Sequence, residues 1–364
     1  MKKFKINEKL IKHIDFSIII VVCAIVFFSL VNIYSAIGFY YARLQFFWLI
    51  IGLIATYFIL TIDYIQILNY APIFYWGVVI LLLINDIFSK SVNGANAWIK
   101  IGQRAIQPGE FAKISMVLML ARVIQDMDGN INTIKNLAKV LMYAAIPMLL
   151  IVIQPDMGLT MVSFFIVLAI VIVANLDWRI IVGGLSTVLA VIVGFWNSPL
   201  MPSYWKGRLV SFLNPEKFEL TIGLQLIQSK VAIGSGGLLG LGFGSGKQYK
   251  FVPENHTDFI FAVIGEEWGL MGAIFLLALY GILLYKFIKI AKTSKDLSGS
   301  IIAMGVTAAL LFSLIQNIGM TIGIMPISGI TLPFVSYGGS SMLTNFISIA
   351  LVLNVGMRRN KINF

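Results

Sequence analysis

A chain of 364 residues that is 59% hydrophobic and 12% charged, with a mean hydropathy of +0.91, has too few polar side chains to coat a water-soluble fold, so lipid is its expected solvent. A net charge of +11 would point to nucleic acid in a soluble protein, but here the basic residues lie between apolar runs, where they report membrane orientation; nucleic acid is set aside as a partner. The lone Cys23 excludes a disulfide framework and a cysteine-based zinc site.

In chain order, the lysine-rich start Met1 to Lys12 precedes the apolar run Phe16 to Tyr34. That run is longer than a signal-peptide core and shows no evident cleavage site, so it reads as an uncleaved first span. Further spans are expected at Phe46 to Ile62, Ile73 to Ile87, Phe111 to Ile124, Val140 to Ile153, Leu159 to Leu176 and Ile180 to Trp196, because roughly 20 apolar residues cross a hydrocarbon core of about 30 Å. One long loop, about 197–258, follows, and then Phe259 to Ile290 (an interfacial lead-in plus a span), Ile301 to Ile324 and Met342 to Val355. The expectation is an all-α, polytopic integral membrane protein of about ten transmembrane helices, forming one domain over 1–364. Both termini are expected in the cytoplasm, and the loop between helices seven and eight outside.

In that orientation sixteen of the 27 Lys and Arg residues fall on the cytoplasmic side, while ten of the other eleven lie in two outer segments, Lys90 to Lys113 and Lys206 to Lys250. Positive charge placed against the usual rule calls for its own cause, and an external anionic ligand is the simplest.

Four polar stretches interrupt the apolar pattern. In the first, Trp98 to Lys113, the aromatic and isoleucine residues among basic ones fit an interfacial segment, or else Lys100, Arg104 and Lys113 hold a phosphate; Glu110 and Lys113, three apart on one helical face, can also simply pair. The second is Gln154-Pro155-Asp156. The third, Pro253-Glu254-Asn255-His256-Thr257-Asp258, abuts an apolar helix near the outer surface. Asp258 there is either a helix N-cap or a functional acid. A helix continued from Asp258 would place Ala262, Gly265, Glu266 and Gly269 on its face, and His256, Glu266 and Glu267 add ionisable groups close to lipid, where unpaired charge marks a cavity or pathway. The fourth runs from Asn317 through Pro326 and Pro333 to Tyr337-Gly338-Gly339-Ser340-Ser341, either a loop or a broken segment lining a cavity. Gly234 to Gly246 fits neither a Walker loop nor GxGxxG, which leaves flexible backbone or close helix approach. Asp156, Asp258 and Glu266 could help place a divalent cation, but no ligand spacing marks one; no dedicated metal site and no required cofactor are expected.

Together, Trp98 to Glu110, Gln154-Pro155-Asp156, Gln228-Ser229-Lys230 with Ala232 to Gly237, His256-Thr257-Asp258-Phe259 and Pro333 to Ser341 resemble the SEDS family (shape, elongation, division, sporulation) of bacterial cell-wall proteins, in order and over nearly the whole chain. Lys230, Asn317 to Met320 and the short C-terminal tail look like its elongation-type branch. The resemblance implies the SEDS fold and a peptidoglycan glycosyltransferase of the cytoplasmic membrane. Such an enzyme polymerises lipid II at the outer face during cell elongation and rod-shape maintenance, beside a class B penicillin-binding protein. It carries the family's key acid onto Asp258 and conserved cavity positions onto Trp98, Glu110 and Lys113. Two departures stand out: Ala97, where the family often has arginine, and Gly109 in place of a common serine.

On this reading Asp258 takes the proton of the acceptor sugar hydroxyl in an inverting transfer. Lys113 leads the candidates to hold the diphosphate, ahead of Lys100, Arg104, Lys206, Arg208, Lys230 and Lys247. His256 orients or tunes the acid, and partial desolvation beside Glu266 raises its pKa. Two other classes stay open, a transporter that flips lipid II and a non-catalytic scaffold for the penicillin-binding protein; glycosidic product separates them.

Overall fold

The computed structural model describes residues 8–88, 98–101, 104–196, 198, 203–218 and 222–359. After a short α1 (Glu8–Ile11), the chain forms α2 (Phe16–Ile37), α3 (Phe39–Thr61), a small α4 (Tyr64–Asn69) and α5 (Ala71–Phe88). A hairpin of β1 (Ile99–Ile101) and β2 (Arg104–Ile106) leads into α6 (Pro108–Gln125), α7 (Ile134–Ile153), α8 (Met157–Val173) and α9 (Trp178–Trp196). Beyond lie α10 (Ser203–Leu213), α11 (Ile222–Gly236), α12 (Ile260–Lys292), α13 (Leu297–Ile322) and α14 (Gly339–Met357).

Each apolar run of the sequence is met by one helix. In lipid a helix satisfies its own backbone polar groups, so long apolar stretches have little else to become. Among the described residues seven helices are long and apolar enough to cross a membrane, and α5 and α8 are shorter apolar helices. α6 differs: it carries Glu110, Lys113 and Arg122 but is buried along nearly its whole length, so protein rather than lipid surrounds it.

Two sequence expectations need correction, and another gains detail. The second helix begins at Phe39 instead of Phe46, because Tyr40, Tyr41 and Arg43 extend it. The segment around Trp98, read from sequence only as interfacial or phosphate-holding, contains an antiparallel hairpin, Ile99 facing Ile106 and Ile101 facing Arg104. The stretch 197–258 is no open loop: α10, α11 and two 3-10 turns, Pro215–Phe218 and Gln248–Phe251, occupy much of it.

The core is built from α6, α13 and α14, whose residues are mostly buried, whereas α9 buries none. At the end carrying the chain termini, Asn354 Nδ2 of α14 donates to the carbonyls of Ile59 and Ile62, both at 2.7 Å, and Arg358 pairs with Asp63 at 3.3 Å. These contacts satisfy the last carbonyls of α3 and tie α14 to it.

At the opposite end α12 is interrupted. Gly269 adopts φ 60°, ψ −157°, and the break frees backbone groups that the glycine run after α11 takes up. Leu241 N and Gly242 N donate to the carbonyls of Glu266 and Glu267 at 2.9 and 3.0 Å, while Leu270 N and Met271 N donate to Gly237 and Leu238 at 3.0 and 3.1 Å. A Cβ on Gly240 would lie 2.2 Å from the Glu267 carbonyl oxygen, and one on Gly269 would lie 2.4 Å from Gly240 N. The glycines therefore serve close backbone approach.

Candidate active site

The N-terminal ends of α6, α8, α12 and α14 meet at the end of the bundle away from the termini. Gln107, just before α6, ties three of them: its backbone N–H points to Ser340 Oγ of α14 at 3.4 Å, and its Nε2 donates to Asp156 Oδ2 at 3.0 Å. Asp156 caps α8, its Oδ1 accepting from Leu159 N at 2.9 Å. Four N-termini give this region positive potential from unpaired amides and aligned peptide dipoles.

Asp258 stands here, in a turn and not in a helix. Glu254 sits at φ 55°, and its carbonyl accepts from Thr257 N and Phe259 N at 3.2 and 3.1 Å, which closes the turn before α12 starts at Ile260. Segments remote in sequence hold that turn from outside. Asn317 Nδ2 donates to the Asp258 carbonyl at 2.8 Å, Ser336 Oγ to the Thr257 carbonyl at 2.6 Å, and Tyr337 N to the His256 carbonyl at 2.9 Å.

The half-buried Asp258 carboxyl receives no hydrogen bond from any described residue. Burial pushes it up to about 7; Glu254 and Asp156 add to the rise and Arg208 opposes it. Asp156 is also raised, first by burial and then by Glu110, against its Leu159 N–H bond, the Arg208 charge and Gln107. Two carboxyl groups therefore share the field of one guanidinium. Arg208, from α10, is placed by a bond from its guanidinium to the Ile327 carbonyl at 3.1 Å.

Deeper along α6, Lys113 pairs with Glu110 at 2.9 Å, both nearly buried, and Thr344 Oγ1 of α14 donates to Glu110 Oε2 at 2.9 Å. They line a narrow cavity of about 30 Å³ that continues among Val117, Leu310, Phe334 and Ile349. The convergent N-terminal ends suit an anionic group.

The residues singled out from sequence separate into groups. Asp258, Glu110 and Lys113 belong to this region. Trp98 is half-buried just before β1; Lys100 and Arg104 are in the hairpin, with side chains outside the described residues. His256 packs its ring at a tilt beside Tyr41 and Tyr337, centroids 6.0 and 6.1 Å away, and burial lowers its pKa although Glu254 raises it. Lys230 is an exposed residue of α11 whose ammonium lies against Gly323, 2.7 Å from where a Cβ would stand at the C-terminal end of α13.

Glu266 is corrected outright. It is fully buried, and its carboxylate accepts from Lys247 N, Gln248 N and Tyr249 N at 2.7, 2.8 and 2.6 Å. It shares no helical stripe with Asp258, because α12 begins only at Ile260, and its carboxylate is taken up by those three backbone donors. Lys247, a cation candidate, contributes its backbone to that cradle. Gln107 and Asn317 fall inside the first and fourth polar stretches of the sequence without being singled out there as site residues, and Thr344, uncharged and inside an apolar run, carries no local signal. Arg208 does carry one, a cation on the outer side against the orientation rule, and Asp156 another, an acid in a Pro-Asp break between spans.

Comparison with known proteins places these features in a wider set. Residues 9–361 match the family model for cell cycle proteins of the FtsW, RodA and SpoVE type. The peptidoglycan glycosyltransferase MrdB of Escherichia coli K12 is 36% identical over 358 residues, covering 96% of this chain and 95% of its own length. A solved structure of a peptidoglycan synthase complex that coordinates polymerization and crosslinking contains a chain 30% identical, with a TM-score of 0.83 over 96% of this chain and 99% of that one. The rod shape determining protein RodA of Thermus thermophilus is 29% identical, with a TM-score of 0.73 over 96% of this chain and 98% of its own.

Proposed function

The chain belongs to the FtsW, RodA and SpoVE family of cell cycle proteins, and from that premise we propose that Asp258 is the general base of its glycosyl transfer reaction. The protein is a multi-helix membrane protein and a peptidoglycan glycosyltransferase. The donor in the proposed reaction is lipid II, a disaccharide peptide on a polyprenyl diphosphate. The acceptor's 4-hydroxyl oxygen attacks the donor's anomeric carbon, the C–O bond to the diphosphate breaks with its electron pair leaving on that phosphate, and the hydroxyl proton passes to Asp258, with inversion. The departing diphosphate is a stable anion, so no second acid has to protonate it.

The observation that carries this reading is the Asp258 carboxyl itself: half-buried, without a hydrogen-bond donor among the described residues, and raised to about 7. A base poised near the working pH is both ionised and able to take a proton. Arg208, Lys113 and the four helix N-termini supply the positive field for the leaving diphosphate. Elongation-type work, both termini in the cytoplasm, and a class B penicillin-binding protein as partner complete the proposal; the synthase complex among the similar structures supports the partner.

Among the described residues no group of three or more His, Cys, Asp and Glu could hold a metal ion. Any divalent cation is therefore proposed to arrive with the substrate's diphosphate, so a chelator would raise the KM for lipid II without changing the oligomeric or folded state of the enzyme.

The test is a purified Asp258→Asn protein, with its partner, given lipid II and read for glycan polymer. Loss of polymer with intact lipid II binding is expected; polymerisation at the parent rate would remove Asp258 from the role of base.

A further inference from the structure

We infer that Asn317 is a positioning residue for this reaction: one buried carboxamide that fixes the Asp258 turn against the segment that anchors Arg208. The inference rests on Asp258 being the base. Asn317 is fully buried near the end of α13, and its Nδ2 uses both protons, one on the Asp258 carbonyl at 2.8 Å and one on the Ile330 carbonyl at 2.7 Å. Those carbonyls belong to separate stretches. One is the turn of the acid; the other is the irregular segment between α13 and α14, whose Ile327 carbonyl receives the Arg208 guanidinium at 3.1 Å. Gly329, next to Ile330, faces the acid: a Cβ there would stand 3.7 Å from Asp258 Oδ2.

The amide's other half points to why the residue is there. Asn317 Oδ1 is buried with no hydrogen-bond partner among the described residues, an unfavourable state that a hydrophobic side chain of similar size would avoid. A carboxamide at this position is therefore suited to its paired donors rather than to packing. The adjacent Gln316 offers a contrast: its Nε2 donates to the Pro326 carbonyl at 2.9 Å and so braces the same segment without touching the acid. Since burial, Glu254 and Asp156 raise the proton affinity of Asp258 and Arg208 lowers it, a bridge that sets the acid's position among them also sets the pH at which the base ionises.

The experiment uses the full chain with its partner and lipid II, and compares Asn317→Leu, Gln316→Leu, Asp258→Asn and the double variant Asn317→Leu/Asp258→Asn. Asn317→Leu is expected to lower kcat about tenfold or more, with KM within about threefold, and to move the acid limb of the pH–rate profile by about half a unit or more. Gln316→Leu is expected to leave that limb in place. The double variant should be no slower than Asp258→Asn alone, as required when one residue acts through the other.

An unmoved acid limb in Asn317→Leu, or additive losses in the double variant, would overturn the inference and leave Asn317 a packing residue. Failure of the base assignment reads differently: Asp258→Asn itself would then retain polymerisation and the limb.

Discussion

Glu266 and Asp258 are acids eight positions apart in one polar-to-apolar junction, yet their surroundings are opposite. Glu266 is fully buried and takes three backbone N–H bonds from Lys247, Gln248 and Tyr249, so its charge is satisfied by fixed donors. Asp258 is half-buried, receives no bond from the described residues, and faces Glu254 and Asp156 with Arg208 as the opposing charge. A carboxylate supplied with donors holds structure; one denied them keeps its affinity for a proton. Burial alone does not make a functional acid.

The sharpest way to break this comparison is to neutralise each acid in turn. Asp258→Asn should cost about 10²- to 10⁴-fold in polymerisation rate, the usual worth of a general base, measured as glycan product per minute. The same variant should hold its fold better at high pH. The folded pKa of about 7 lies above the unfolded value of roughly 3.9, so the folded state binds the extra proton and the parent loses stability as pH rises through that window. Relative to the parent, the Tm of Asp258→Asn in detergent should therefore gain more at pH 8 than at pH 5.

Glu266→Gln should show the reverse pattern. It removes the charge behind three hydrogen bonds and turns a donor toward Tyr249 N, for an expected loss of about 2–4 kcal/mol read as a lower Tm. Residual activity per folded molecule should stay well above that of Asp258→Asn.

A finer test shifts the base without touching it. The parent rate should rise with pH through about 7 and level off, because only ionised Asp258 accepts the proton. Arg208→Gln removes the charge that lowers this pKa and should move the acid limb to higher pH. Asp156→Asn removes one that raises it and should move the limb lower, each by up to about one unit. Movement of both limbs in one direction would contradict the charge arrangement. The smallest effect is expected of Thr344→Val, which deletes the bond to Glu110 Oε2: about 1 kcal/mol of stability and a modest rise in KM for lipid II.

Part of the site is legible in the amino-acid sequence because chemistry and local context agree there. Asp258 stands out as an acid at the edge of an apolar helix, and Glu110 with Lys113 as a pair at helical spacing, joined at 2.9 Å. Glu266 misleads for a local reason. Helical spacing counted back to Asp258 assumes a helix that begins there, but the Glu254 turn delays it to Ile260. Lys230 has a neighbour that its charge does not announce: its ammonium lies against Gly323 at the end of α13.

What the sequence by itself determined was an all-helical fold of the membrane type and the family to which the chain belongs. Each helix closes its own backbone hydrogen bonds, so an apolar run needs no partner to become a span, and run length is read residue by residue. Tertiary structure decided which polar groups meet: the convergence of four helix N-termini, the cradle that occupies Glu266, and the single amide of Asn317 that joins the Asp258 turn to the segment anchoring Arg208. The proton affinity of Asp258 depends first on burial and on Glu254 of its own turn, and then on Arg208 of α10 and Asp156 at the start of α8, elements separated by long stretches of chain whose apolar pattern says nothing about which ends will touch.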